Sequence, residues 1–324
     1  MHEFALIDHL RARSRGRGDI ALGIGDDAAL LRVPPGEELV VTMDTLNDGV
    51  HFPPESAPFD IGWKTLAVNL SDLAAMGAQP AWCTLSLSLP QVDARWLDGF
   101  AEGFFALADR HGVALIGGDT TRGPLSLSVT AMGRVAAGSA LRRDAARAGD
   151  DIWVTGSLGD AAAALRLWQA GTLAVAGAAD AAIEPLRQRL QRPAPRVQAG
   201  LRLVGLAHAA IDVSDGLLAD LGHVCARSRV GGQVYLEALP ASAALRAAFE
   251  GDERYALQCA GGDDYELCFT APRQHRDAVE QAMLFADVPV ARVGRIVEGE
   301  GVVVLDPAGR AWVPPRTGYQ HFAG

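Results

Sequence analysis

The period of the apolar positions changes several times along the chain, and each change predicts an element. Residues 38–43 form a short apolar run ending at Asp44, which predicts a strand with Asp44 at its exit. Residues 60–76 predict a helix, filled by Ala and Leu, with Asp60 as cap and with Gly77 and Pro80 as the stop. Asn69 and Asp72 stand three apart in it and share a face. Alternation over 83–89 predicts a strand, 93–111 a second helix ended by Gly112, and 113–116 a buried strand that opens into Gly117-Gly118-Asp119. A further strand is predicted over 126–135.

A second set begins near 150. It has a strand over 151–155, then Gly156-Ser157-Leu158-Gly159-Asp160 leading into an alanine-rich helix. A breaker at 192–196 precedes another helix to about His208. A strand over 210–213 is followed by Ser214-Asp215-Gly216 at the start of the next helix, and later strands fall at 265–270 and 290–297. Interleaved strands and helices predict an α/β (α+β) class. The boundary between the two sets falls at 136–150, giving domains of 1–140 and 141–324. No short-period repeat is seen.

Composition narrows the picture. A chain of 324 residues accommodates two domains. The net charge of −10 opposes a nucleic-acid partner. No apolar run reaches the length of a membrane span, and Met1-His2-Glu3-Phe4 lacks the basic-then-apolar order of a signal peptide, so a cytoplasmic protein without a membrane partner is expected. Cys83, Cys225, Cys259 and Cys268 show no paired spacing and read as small buried residues in a reducing compartment.

The candidate chemistry lies in aspartates. They recur as Gly25-Asp26-Asp27-Ala28, Met43-Asp44-Thr45, Ser71-Asp72-Leu73, Gly117-Gly118-Asp119-Thr120, Asp212-Val213-Ser214-Asp215-Gly216 and Gly261-Gly262-Asp263-Asp264. Oxygen-only ligand sets suit hard cations such as Mg²⁺, which phosphoryl-transfer enzymes hold with few carboxylates. The single lysine, Lys64, follows Trp63, so no Gly-Lys-Ser/Thr phosphate loop exists. Each cluster also has a plain reading, because Asp favours turns and helix caps. Asp44, Asp119 and Asp212 lie in or just after apolar runs, where an uncompensated carboxylate is costly. The 212–216 segment places two carboxylates and a hydroxyl at a strand-to-helix junction, where free N–H groups of a helix start bind phosphate and a metal bridging the aspartates and that phosphate is chemically sensible. Arg142 and Arg143 read either as a phosphate clamp or as a solvated pair.

In their order, these segments resemble thiamine-monophosphate kinases, from Gly23-Ile24-Gly25-Asp26-Asp27-Ala28 to Gly318-Tyr319-Gln320-His321-Phe322. The most specific stretches are 64–78, 117–124 and 211–217. The resemblance implies the aminoimidazole ribonucleotide synthetase-like fold, with an N-terminal domain that dimerises through its sheet and a C-terminal α/β domain. It implies ATP-dependent phosphorylation of thiamine monophosphate with several Mg²⁺ ions and no covalent nucleophile. By likeness, Asp27, Thr42, Met43, Asp44, Asp72, Asp119, Asp212 and Asp215 match metal-associated positions. Gly118, Asp119, Arg143 and Ser214 match nucleotide contacts, and His51, Asp263 and Tyr319 match positions facing thiamine monophosphate. Met43 stands where the family often has a hydroxyl residue, and Asp263 where it usually has Glu. Selenophosphate synthetase-like chemistry would want a reactive cysteine near the N-terminus, yet the first is Cys83. The hydrogenase-maturation relatives use a C-terminal cysteine, and this sequence ends His321-Phe322-Ala323-Gly324. A non-catalytic nucleotide or cation binder is the remaining alternative.

Overall fold

The computed structural model describes residues 7, 10–175, 177, 180–315, 318 and 319. The readings made on 1–4 and 320–324 lie outside the described residues. The chain divides into two compact units, Met1–Leu73 with Ala78–Gly138, and Ala74–Gly77 with Ser139–Gly324.

In the first unit, β1 (Ile20–Leu22) and β2 (Leu30–Leu31) form an antiparallel pair. Strands β3 (Glu37–Asn47), β4 (Gln79–Leu89), β5 (Ala114–Arg122) and β6 (Ser126–Ala136) form a sheet in the order β3-β6-β4-β5, with only β4–β5 parallel. Strand β3 alternates: Thr42, Asp44 and Leu46 are partly or fully buried, whereas Leu39, Val41 and Met43 are exposed. The buried side meets helix α1 (Pro58–Ala75). There Thr42 Oγ1 donates to Asp72 Oδ2 at 2.5 Å, and the Asp44 N–H donates to Asn69 Oδ1 at 3.0 Å. The expected shared face of Asn69 and Asp72 is therefore the one turned to β3.

Helix α2 (Ala94–His111) starts at Asp93, whose carboxylate accepts from the Arg95 and Trp96 N–H groups, and stops at left-handed Gly112. Leu97, Phe100, Phe104 and Leu107 are buried along it. It crosses α1 at backbone contact. A Cβ on Gly62 would lie 2.0 Å from the Phe100 carbonyl oxygen, and one on Gly103 would lie 1.9 Å from that of Phe59.

Four local expectations are corrected. Asp44 lies within β3, not at its exit, because pairing with β6 continues from Asp44↔Val129 to Asn47↔Ser126 and is joined by a Thr45–Ser128 hydroxyl bond of 2.7 Å. Gly117-Gly118-Asp119 is strand rather than turn, paired with Thr84, Leu85 and Ser86. Gly118 is required there because a Cβ would lie 1.9 Å from the Leu85 carbonyl oxygen. Pro80 lies inside β4 at a register shift, where a missing N–H is tolerated. Asp60 sits in the first turn of α1, not before it.

The second unit carries β7 (Asp151–Thr155), α3 (Asp160–Gln169), α4 (Glu184–Gln191), α5 (Val197–Leu203), β8 (Ala209–Asp212), α6 (Leu217–Ser228), β9 (Gly231–Tyr235), α7 (Ala243–Ala248), α8 (Gly251–Ala260), β10 (Leu267–Ala271), α9 (Arg276–Phe285), β11 (Val290–Val297), β12 (Val302–Leu305) and β13 (Ala311–Trp312). Its sheet runs β13-β12-β9-β11-β7-β10-β8, with only β12–β9 parallel. One core joins Ile152, Val154, Ile211, Leu217, Leu221 and Val234, and a second joins Ala161, Ala164, Leu186, Leu190 and Leu245. Helix α5 stops at Leu203, short of His208, because Val204 leaves the helical region and Gly205 is left-handed. All four cysteines are buried and free, as their scatter implied.

The α1–α2 crossing admits no side chain at Gly62 or Gly103. Gly103→Ala should destabilise the protein by about 1–3 kcal/mol, since the helices must separate to relieve the clash. Denaturant unfolding reads this directly, with Gly99→Ala as control, where the nearest atom to an added Cβ is a proline side-chain carbon at 3.2 Å.

Candidate active site

Asp27 is exposed on the loop between β1 and β2, beside Asp26, whose carboxylate accepts the Asp27 N–H at 2.8 Å. Gly118 and Asp119 lie within β5. These residues come together on a cavity of about 810 Å³ within the first unit, lined also by Arg11, Gly25, Thr84, Gly117 and Thr120. Asp44 and Asp72 belong to the β3–α1 contact described above. Met43 turns its side chain to the opposite face, where it is 61% exposed, so its side chain does not share the side of Thr42 and Asp44.

His51 follows β3. Its Nδ1 accepts the Asn47 N–H at 3.0 Å, and its carbonyl accepts from Lys64 Nζ at 2.9 Å. A neutral His51 thus carries its proton on Nε2. Lys64 is only 2% exposed, so the chain's one lysine serves this loop and not a phosphate.

In the second unit, Asp212 ends β8 almost buried, and the chain then turns through Ser214 and Asp215 into α6. The neighbouring turn at 261–265 lies against it: the Asp263 N–H donates to the Ser214 carbonyl at 2.9 Å and that of Tyr265 to Val213 at 2.8 Å. Asp263 and Tyr265 are both left-handed, with φ of 67° and 49°, and the Tyr265 hydroxyl donates to Asp263 Oδ1 at 3.1 Å. The Tyr319 N–H reaches the Asp215 carbonyl at 3.1 Å. Asp263 and Tyr319, distant in sequence, are therefore brought to the turn that carries Asp212, Ser214 and Asp215. Arg143 is exposed in the segment before β7, and Arg142 is engaged with Asp144 at 2.6–2.8 Å.

One expectation about this turn is corrected. The N–H groups of Ser214, Asp215 and Gly216 are not open to phosphate, because all three donate to Asp220 Oδ2. Burial, and then the neighbouring Asp215 charge, push Asp220 up to about 7 against the lowering effect of those bonds. Asp220 was missed in the sequence. The available signal was an Asp in the first turn of a helix whose preceding turn lacks a cap. Also missed was Glu266, fully buried and bonded to Thr155, Arg189 and Arg196. Burial pushes Glu266 up, but the two arginines outweigh it and hold it below the usual carboxylate range. Asp264 accepts the Gly159 N–H on both oxygens and lies well above its ordinary value because it is wholly buried.

Among the described residues, no three His, Cys, Asp or Glu side chains converge to hold a metal ion. Mg²⁺ takes one or two carboxylates and completes its shell with water and phosphate oxygens. The donors present, Asp and Thr oxygens, have the hardness such an ion prefers.

Comparison with known proteins bears on the fold and the family. A model described as AIR synthase related protein, N-terminal domain, matches residues 25–135, and its C-terminal counterpart matches 147–306. The chain is 46% identical to a thiamine-monophosphate kinase of Escherichia coli (strain K12), over 99% of this chain and 98% of that one. It superposes on the crystal structure of thiamine-monophosphate kinase from Stenotrophomonas maltophilia K279a with a TM-score of 0.90 and 63% identity, covering 96% of this chain and 98% of that one. With AaThiL complexed with AMPPCP and TMP the TM-score is 0.79 and the identity 30%, covering 99% and 97%. The two-domain fold is thus that of the AIR synthase-related proteins, and by its full-length likeness to these enzymes the chain belongs to the thiamine-monophosphate kinase family.

Proposed function

We propose that this protein transfers the γ-phosphoryl group of ATP to thiamine monophosphate, yielding thiamine diphosphate and ADP. The observation that carries this reading is the full-length likeness to thiamine-monophosphate kinases, together with the gathering of Asp212, Ser214, Asp215, Asp263 and Tyr319 around one turn. Donor and acceptor are both phosphates, so the chemistry needs charge neutralisation and alignment more than a base. The acceptor monoester is already largely ionised near neutral pH, since its second pKa is about 6. In this reading the transfer is direct and in line, without a phosphoenzyme.

Bound Mg²⁺ would supply screening of the phosphate charges. Asp27, Asp44, Asp72, Asp119, Asp212 and Asp215 would hold several such ions, with the Thr42 hydroxyl and backbone oxygen at Met43 beside them. Gly118, Asp119, Arg143 and Ser214 would contact the nucleotide. Gly118 lets the backbone approach a ligand without a side chain between. His51, Asp263 and Tyr319 would face thiamine monophosphate, and the Tyr265 hydroxyl fixes the direction of the Asp263 carboxylate.

In this reading residues 1–140 form the nucleotide, metal and dimerisation domain and 141–324 the C-terminal α/β domain, in a cytoplasmic homodimer. The exposed row Leu39, Val41 and Met43 on β3 supports pairing through the first sheet, since apolar residues in a row on a sheet face favour a partner.

Two outcomes test the proposal. Purified protein should form thiamine diphosphate only when Mg²⁺ or a similar hard cation is supplied, and Asp212→Asn should lower turnover by about 10²–10³-fold. Near-normal turnover with unchanged Mg²⁺ dependence would remove Asp212 from the site. In light scattering the protein should run at twice its 34.0 kDa chain mass, and Val41→Arg should shift it toward the monomer. A wild-type monomer at micromolar concentration refutes the dimer.

A further inference from the structure

The turn between β8 and α6 has a property the proposed chemistry does not demand. Every backbone polar group of residues 213–216 is hydrogen-bonded inside the unit. The Val213 N–H donates to the Glu266 carbonyl at 2.8 Å, and those of Ser214, Asp215 and Gly216 donate to Asp220 Oδ2 at 3.0, 3.1 and 3.1 Å. The four carbonyls accept from Tyr265, Asp263, Tyr319 and Asp220 N–H groups at 2.8, 2.9, 3.1 and 3.0 Å. Three consecutive N–H groups converging on one point make a concavity of the kind that binds anions. Here the point is occupied by a carboxylate of the chain itself, only 3% exposed.

We infer that Asp220 is a positioning residue for the reaction. It acts as a resident carboxyl group that fills the concavity a phosphate would otherwise enter and, by fixing three successive N–H vectors, sets the directions of the Ser214 and Asp215 side chains. With the backbone closed to ligands, only side chains of this turn are left to meet the nucleotide and its cations. The turn is then a rigid platform whose specificity is that of carboxylate and hydroxyl oxygens. Such control matters because misplacement by about 1 Å can cost roughly 10²-fold in rate. The inference rests on the reading that Asp215 and Ser214 serve the nucleotide and its metal, but its first test does not.

The test compares Asp220→Ala and Asp220→Asn in the full chain. Asn keeps an oxygen that can accept the three N–H bonds, whereas Ala keeps none. Hydrogen exchange of the amides at 214–216 is measured without nucleotide or metal. Asp220→Ala should exchange about 10²-fold faster than wild type there, and Asp220→Asn within about threefold of it. In the kinase assay Asp220→Ala should need about tenfold more Mg²⁺ for half-maximal rate, with KM for thiamine monophosphate changed less than about twofold, and Asn should restore the Mg²⁺ requirement. A helix cap with no further role would lower stability without moving the Mg²⁺ requirement, and that result overturns the inference. So does unchanged exchange in Asp220→Ala, or an Asn variant as defective as Ala. If Asp220→Ala does not fold, the Asn variant decides: protected amides support the inference and fast exchange overturns it. Failure of Asp212→Asn to affect turnover would strike the functional reading while leaving the exchange result standing.

Discussion

A carboxylate withdrawn from water must find its compensation inside the protein, and Glu266 is where the second unit meets that requirement. Removing such a group's partners from a buried site costs about 3–5 kcal/mol. Its partners come from three places: the Thr155 hydroxyl at the end of β7, Arg189 on α4, and Arg196 just ahead of α5. One side chain thus ties two helices to the start of β10. The tie reaches further through backbone. The Glu266 carbonyl receives the Val213 N–H, and Arg189 also donates to the Asp264 carbonyl at 3.0 Å. Both turns that carry candidate site residues are therefore held by the same ion cluster. Gly156 is glycine for the same cause, because a Cβ there would lie 2.1 Å from Glu266 Oε1.

The acidic residues of this chain accordingly divide by what their oxygens face. Glu266, Asp264 and Asp220 are directed inward and bond arginines or backbone N–H groups. Asp27 and Asp119 line a cavity, and Asp215 and Asp263 are only partly buried. Like charges at close range repel by about 4 kcal/mol at 4 Å and an effective dielectric of 20. The inward group relieves that cost with fixed partners. The outward group keeps part of its surface in water, and Asp263 also accepts from the Tyr265 hydroxyl.

Much of this was legible in the sequence, for definable reasons. Helix α2 was read well because its stripe of Leu and Phe is long and its ends carry Asp93 and Gly112. The aspartate turns were found because Gly-Asp and Ser-Asp pairs after apolar runs combine two local signals. What failed was non-local. Gly117-Gly118-Asp119 has the composition of a turn, and only pairing with β4 makes it strand. Asp44 marks a polar break in an apolar run, yet the edge strand continues because its hydrogen bonds to β6 do not depend on side-chain polarity. Short elements such as α7, β12 and β13 have too few residues to show a period. Glu266 and its arginines are separated by 77 and 70 positions, and no local pattern links them.

The burial of Lys64 has a consequence for how this protein meets other molecules. It is the single lysine in the chain, it is 2% exposed, and it is bonded to the His51 carbonyl. All positive side chains on the folded surface at neutral pH are therefore guanidinium groups, apart from any protonated histidine. No side-chain amine is presented for acylation, carbamylation or Schiff-base formation while α1 stays folded. A reagent or modifying enzyme that seeks lysine meets this chain only after the first unit has opened, so lysine labelling registers unfolding and carries no information about the native surface.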